Sequence, residues 1–243
     1  MKKRYPCLFC LSFDNPFTSE EHILPRGLGN VLKILPPGIV CDRCNNGELA
    51  RLDEILTNFD PIKFLRVFHG IENRDGKVPA SKHINVDMAM INPGHLNVLL
   101  KSNKSDYFQE HEKGFTLSVV GGHKLTNAYI KKLLRAFYKM GLEVVYGDLG
   151  ARTAHAKRFD EIRRIVLGNC DFSGSLAVVK HPDLEQIARI RHHVIPMKGR
   201  KVSFFDFYYY GVEILYGMEV REIGDDENLL TGKVDIISAS KCK

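Results

Sequence analysis

The sequence predicts an α+β fold, with a small metal-tied unit ahead of a mixed body. Three patterns point to it. Two C-x-x-C pairs, Cys7/Cys10 and Cys41/Cys44, bracket a stretch rich in glycine and proline. Apolar residues recur at helical spacing over residues 45–56 and 125–146. Over residues 83–120 and 202–220 they alternate or gather in aromatic blocks, as in strands.

Composition sets the outer limits. With 243 residues, 44% of them hydrophobic, the chain can bury a substantial core in one large domain or two small ones. No apolar run is long enough to span a bilayer, and Met1-Lys2-Lys3-Arg4-Tyr5-Pro6 leads into no signal-peptide core. The expectation is a cytoplasmic protein with no membrane partner. A formal net charge of +6 suits a polyanion without requiring one. Four of the six cysteines lie in the first fifth of the chain, while Cys170 and Cys242 stand alone. Without a secretory signal, that pattern favours a metal over disulfides.

Taken in order, Tyr5-Pro6-Cys7-Leu8-Phe9-Cys10 has the form of half a zinc site, and Ser12-Phe13-Asp14-Asn15-Pro16 reads as a turn. Residues 21–25 read as a short strand ended by Pro25, and residues 26–38 as loop. Ile39-Val40-Cys41 reads as a second strand. A helix from about Asn45 to Leu56 places Leu49, Leu52 and Leu56 on one face. Residues 59–75 are mixed, and Asn73-Arg74-Asp75-Gly76 is a turn. Strands are expected at 83–88, 96–100 and 115–120, the last ended by Gly121-Gly122. Helices are expected at 125–146, at 160–167 and at 184–190. Two strands follow around Gly211 or Gly217, with the run from Phe204 to Tyr210 serving as core and sheet face. A soft boundary falls near residue 75, giving a small unit over 1–75 and an α+β domain over 76–243.

Cys7, Cys10, Cys41 and Cys44 can close a tetrahedral shell around Zn²⁺, since two C-x-x-C knuckles supply four thiolates with little strain. The 30 residues between Cys10 and Cys41 leave room for a loop carrying His22. A closed thiolate shell offers no position for substrate, so this zinc is read as structural. The second pair completes the tetrahedron, which argues against redox work by either.

Glu21-His22-Ile23-Leu24-Pro25, followed by Cys41-Asp42-Arg43-Cys44-Asn45-Asn46-Gly47, resembles the HNH endonuclease family, in its ββα-metal branch tied by a four-cysteine zinc. The resemblance covers residues 7–56. It implies that His22 is the general base that activates water, that Glu21 is the acidic ligand of a catalytic Mg²⁺ or Mn²⁺, and that Asn45 is the third motif residue, also on that ion. Asn46 is a substitute for Asn45, and Asn45 suits a helix N-cap as well. Phosphodiester hydrolysis needs both a base and a cation, and a neutral imidazole near pH 7 suits the first task. The sequence departs from the family at the middle asparagine, whose place is taken by Pro36-Pro37-Gly38. Asn30 is the nearest substitute.

The expected function is therefore metal-dependent endonuclease activity on DNA, with RNA left open, in a restriction or phage-defence setting. The alternative is a zinc-stabilised nucleic-acid-binding protein without cleavage activity. Arg26 and Arg43 are candidates to contact phosphates. So are Lys132 and Arg135, on a helix that also carries Lys131 and Lys139. The clusters around Arg152, Arg163 and Arg164, and around Lys198-Gly199-Arg200-Lys201, are further basic candidates. Double-strand cutting by a single-site nuclease would be simplest in a homodimer.

Overall fold

A computed structural model describes residues 4–29, 33–73, 75–92, 95–101, 108–112, 114–117, 125–180, 188–197, 200–218 and 234–239. The fold class is α+β, with helices and antiparallel sheets together. The chain packs as two units. The first comprises Met1–Pro25, Asn30–Leu56 and Thr126–Lys243, and the second Arg26–Gly29 and Thr57–Leu125. The boundary expected near residue 75 falls inside the second unit. The cysteine-bearing segment packs with later parts of the chain because its polar backbone is held there: Arg163 Nε donates to the Leu8 carbonyl at 2.8 Å.

In the first unit, β1 (Glu21–His22) pairs antiparallel with β2 (Ile34–Leu35), Glu21 opposite Leu35 and His22 opposite Ile34. The expected partner strand at Ile39-Val40-Cys41 is not formed. Pro36 and Pro37 have no N–H to continue a ladder, and Gly38 turns the chain at φ 99°. The Ile39 carbonyl accepts instead from Leu8 N at 2.9 Å, joining the two cysteine knuckles. The helix expected from Asn45 starts earlier, as α1 (Asp42–Cys44). It passes through a π turn, Asn45–Leu49, into α2 (Ala50–Thr57). Cys41 occupies the cap position, so Asn45 is inside the helix and not its N-cap. Leu49, Leu52 and Leu56 are fully buried, as their spacing requires.

The body of this unit is helix on sheet. The α4 helix (Asn127–Ala154) is longer than predicted and is interrupted at Gly150, φ 79°. Thr126 caps it, accepting from Tyr129 N at 3.2 Å. After it comes α5 (Asp160–Val166). The five-stranded sheet contains β8 (Gly174–Lys180), β9 (Ala188–Met197), β10 (Arg200–Tyr209), β11 (Val212–Gly217) and β12 (Val234–Ala239), in the order β12-β8-β11-β10-β9, all antiparallel. Residues 188–190 belong to β9, against the helix expected over 184–190; residues 184–187 lie outside the described residues. The β10–β11 turn sits at Tyr210-Gly211, where φ is 47° and 88°. Two successive positive φ values match the twist of a two-residue hairpin.

Phe137 packs on Phe207 and Tyr216, with ring centroids 5.8 and 5.1 Å apart. Phe205, Phe207, Tyr209 and Tyr216 are all fully buried, which gives the aromatic run its core role. Helix and sheet approach closely at Gly141, where an added Cβ would lie 2.9 Å from Met218 Sδ and 3.3 Å from Phe205 Cε2. Gly141→Ala should therefore lower stability by about 1–3 kcal/mol through overpacking, despite alanine's better helix propensity. Urea denaturation would check this, and an unchanged midpoint would rule it out.

In the second unit, α3 (Asp60–Phe68) occupies part of the stretch expected to be mixed, with Pro61 in its first turn. Its residue Val67 forms an apolar cluster with Val86 and Met88. Those two come from β4 (Val86–Asn92), in a three-stranded antiparallel sheet with β3 (Ser81–Lys82) and β5 (His95–Leu100). A separate hairpin joins β6 (Phe108–His111) and β7 (Gly114–Leu117). The remainder of the strand expected at 115–120, with Gly121-Gly122, lies outside the described residues.

Candidate metal centre and the histidine hairpin

The four cysteines come together as their spacing predicted. Their sulfurs all lie within 4.8 Å of one another, an arrangement that could hold a metal ion such as zinc. Cys10 Sγ and Cys41 Sγ are 3.7 Å apart. The edge of a tetrahedron with metal–sulfur bonds of about 2.3 Å is about 3.8 Å, so this pair already has the separation that zinc requires. Local backbone bonds build each knuckle. Leu11 N donates to Cys7 O and Asn45 N to Cys41 O, both at 3.0 Å. Cys41 N points at Cys7 Sγ, 3.4 Å away.

Cys7, Cys41 and Cys44 are buried and Cys10 is half-buried. Crowding four thiols in one place drives their proton affinities apart. A hydrogen bond with Cys44 pulls Cys7 down to about 4. The same bond pushes Cys44 well up, and burial pushes Cys41 up to about 11. Thiols packed this closely oppose one another's ionisation, and a bound cation removes the opposition.

The second knuckle is tied back through Asp42. Its carboxylate accepts from Thr18 N and Ser19 N, both at 2.9 Å, and from both hydroxyls. Those hydrogen bonds hold it down at about 2, the Ser19 hydroxyl first. Three residues along, Asn45 Nδ2 donates to Glu20 O at 2.8 Å, closing the helix onto the strand that carries Glu21 and His22. Asn45 is the first residue of the π turn. This turn is kinked at Gly47, with φ −102° and ψ −106°. Such one-turn widenings are frequent at functional sites.

Glu21 and His22 go opposite ways. Successive side chains in a strand alternate faces. Glu21 is the inward one, 2% exposed, with Oε1 2.6 Å from Lys139 Nζ. His22 is half-buried, and its carbonyl accepts from Lys139 at 3.3 Å. Lys139 also reaches Asp53 Oδ1 at 2.7 Å and Glu143 Oε2 at 3.8 Å. Burial works against its charge, but Asp53, Glu143 and Glu21 outweigh it and hold the ammonium protonated well above its ordinary value. Burial raises Glu143 well up and Asp53 to about 6. One oxygen of the Glu21 carboxylate, Oε1, is thus engaged by an internal ammonium. Among the described residues, the cysteines are the one group of three or more His, Cys, Asp or Glu side chains placed to hold a metal.

The basic candidates separate in the same way. Arg43 is exposed and, with Arg51, lines a cavity of about 620 Å³ beside Cys10 and Cys44. Arg26 is exposed in the second unit, in the 3-10 turn Arg26–Leu28. On α4, Lys132 is exposed, but Arg135 pairs with Glu48 and donates to the Val166 carbonyl at 2.7 Å. Lys131 pairs with Asp171. Arg163 is buried on Leu8 O and Asp160. Asn30, Lys198 and Gly199 lie outside the described residues.

Sequence reasoning placed Lys139 on a basic surface and overlooked Asp53 and Glu143. The signal was there: Lys139 and Glu143 stand four apart as the two charged residues of the otherwise apolar run 136–145, and every residue of that run is buried. No described helix is long and apolar enough to cross a membrane. Compared with known proteins, the chain matches no family model, no curated protein and no solved structure.

Proposed function

We propose that the chain is a nuclease of the ββα kind, hydrolysing phosphodiester bonds in DNA with His22 as general base. The observation that carries this reading is the Asn45 Nδ2 to Glu20 O bond, which closes a helix over the hairpin bearing His22 beside the four-cysteine cluster. We read the ion of that cluster as zinc with a structural task, since four protein thiolates leave it no open position.

His22 faces away from the buried side of its strand and takes the proton of an attacking water. Hydrogen-bonded through its nitrogen, the Asn45 amide is oriented by Glu20, which fixes the direction of its oxygen. Arg43 is available to the phosphate backbone from the exposed face of the helix.

A second reading, a zinc-stabilised nucleic-acid-binding protein without cleavage, is favoured by the Glu21–Lys139 pair, which removes the expected acidic ligand. Nicking of supercoiled plasmid with Mg²⁺ or Mn²⁺ separates the two. His22→Ala should lower the rate by about 10²- to 10⁴-fold without affecting DNA retention. If wild type and variant both retain DNA and neither nicks it, the second reading stands and the first fails.

A further inference from the structure

Four ionisable side chains from three elements converge behind β1: Glu21 from β1, Asp53 from α2, and Lys139 and Glu143 from α4. Lys139 has no exposed surface. An ammonium has three N–H groups, and Lys139 has three close acceptors: Glu21 Oε1 at 2.6 Å, Asp53 Oδ1 at 2.7 Å and the His22 carbonyl at 3.3 Å. Its donors are fully used, and two of the acceptors belong to the strand that presents His22. A divalent cation on Glu21 would sit against a buried positive charge that cannot retreat to solvent.

We propose that Lys139 is the built-in cation of Glu21, and that Glu21 is a positioning residue tying the His22 strand to α4, not a ligand for a divalent metal ion. The positioning role rests on His22 being the functional residue proposed above; the pairing does not.

Crystals of the wild-type chain grown with Mn²⁺ and measured for anomalous scattering give the first test. The expected result is no peak in the coordination sphere of Glu21, whether or not Mn²⁺ binds elsewhere; a peak on its carboxylate overturns the proposal. A calorimetric Mn²⁺ titration of Glu21→Gln gives the second. The variant should bind Mn²⁺ within about twofold of wild type, whereas loss of a ligand would weaken binding by about tenfold or more. In the nicking assay Glu21→Gln should lose about tenfold in rate, with no recovery at excess Mn²⁺. Recovery by excess metal would mark a ligand and overturn the proposal. If Glu21→Gln does not fold, the wild-type crystal still decides. A wild type that nicks no DNA removes the nuclease reading but leaves the ion-pair result standing.

Discussion

Cys41→Ser is expected to abolish cooperative folding of the segment around residues 7–46, and stripping the metal with a chelator should do the same. Among its described residues regular structure is scant: two strands of two residues each, one 3-10 turn, the single turn α1 and the start of the π turn. The buried apolar side chains there are Leu8, Phe9, Ile23, Leu24, Leu28, Leu35 and Val40. The chain between the knuckles is long, glycine- and proline-rich, and costly in entropy to order. A four-thiolate zinc contributes on the order of 10 kcal/mol, comparable with the whole stability of an ordinary domain. Cys41, like Cys7, is fully buried, so solvent cannot take over for its lost thiolate. Loss should spread past the knuckles, since Arg163 in α5 depends on the Leu8 carbonyl for a buried hydrogen bond. Circular dichroism melts of wild type and Cys41→Ser, with zinc content by mass spectrometry, are the measurement. Equal melting temperatures, or a wild type free of zinc, would overturn the zinc reading.

The parts of this molecule that were legible in the sequence depend on short-range chemistry. A C-x-x-C pair is a local turn with a fixed purpose, and two such pairs can be matched without knowing the fold. The helix expected from about Asn45 to Leu56 and the α4 helix show through their periodicity, and of the two turns expected, at Gly211 or Gly217, the hairpin uses Tyr210-Gly211. What stayed hidden depends on distant partners. The strand paired with β1 was misplaced because Ile39-Val40 has strand composition, while Ile34-Leu35 lies before two prolines. Lys139 read as a surface cation because its neighbours Lys131, Lys132 and Arg135 are basic. Its true partner, Glu21, is remote in sequence and reached only through packing. The same pairing altered the candidate site: a strand alternates its side chains, so an acid drawn into the core leaves only the histidine on the outer face.

Lys139→Met is expected to cost about 3–5 kcal/mol near neutral pH, far more than the loss of one surface cation, because it strands carboxylates in the interior. Methionine keeps the volume, so packing is not the cause. Glu21 and Glu143 are buried and Asp53 is partly so, and all three lean on one ammonium. The sign of the pH dependence follows. In wild type, Asp53 is raised from 3.8 to about 6, burial pushing it up against the pull of Lys139. A carboxyl whose folded pKa exceeds its unfolded value contributes stability that is fully present below the unfolded value and lost as pH rises through the folded one. Without Lys139, the opposing pull disappears, the folded pKa rises further and the loss extends to higher pH. The variant should therefore trail wild type most at about pH 7.5 and recover much of the gap at about pH 5. Combining Lys139→Met with Glu21→Gln should cost less than the sum of the single changes, since the second removes a charge that the first leaves unpaired. Urea denaturation of the four proteins at both pH values measures this. A gap that does not change with pH, or strictly additive costs, would mean that Lys139 holds the fold by packing alone.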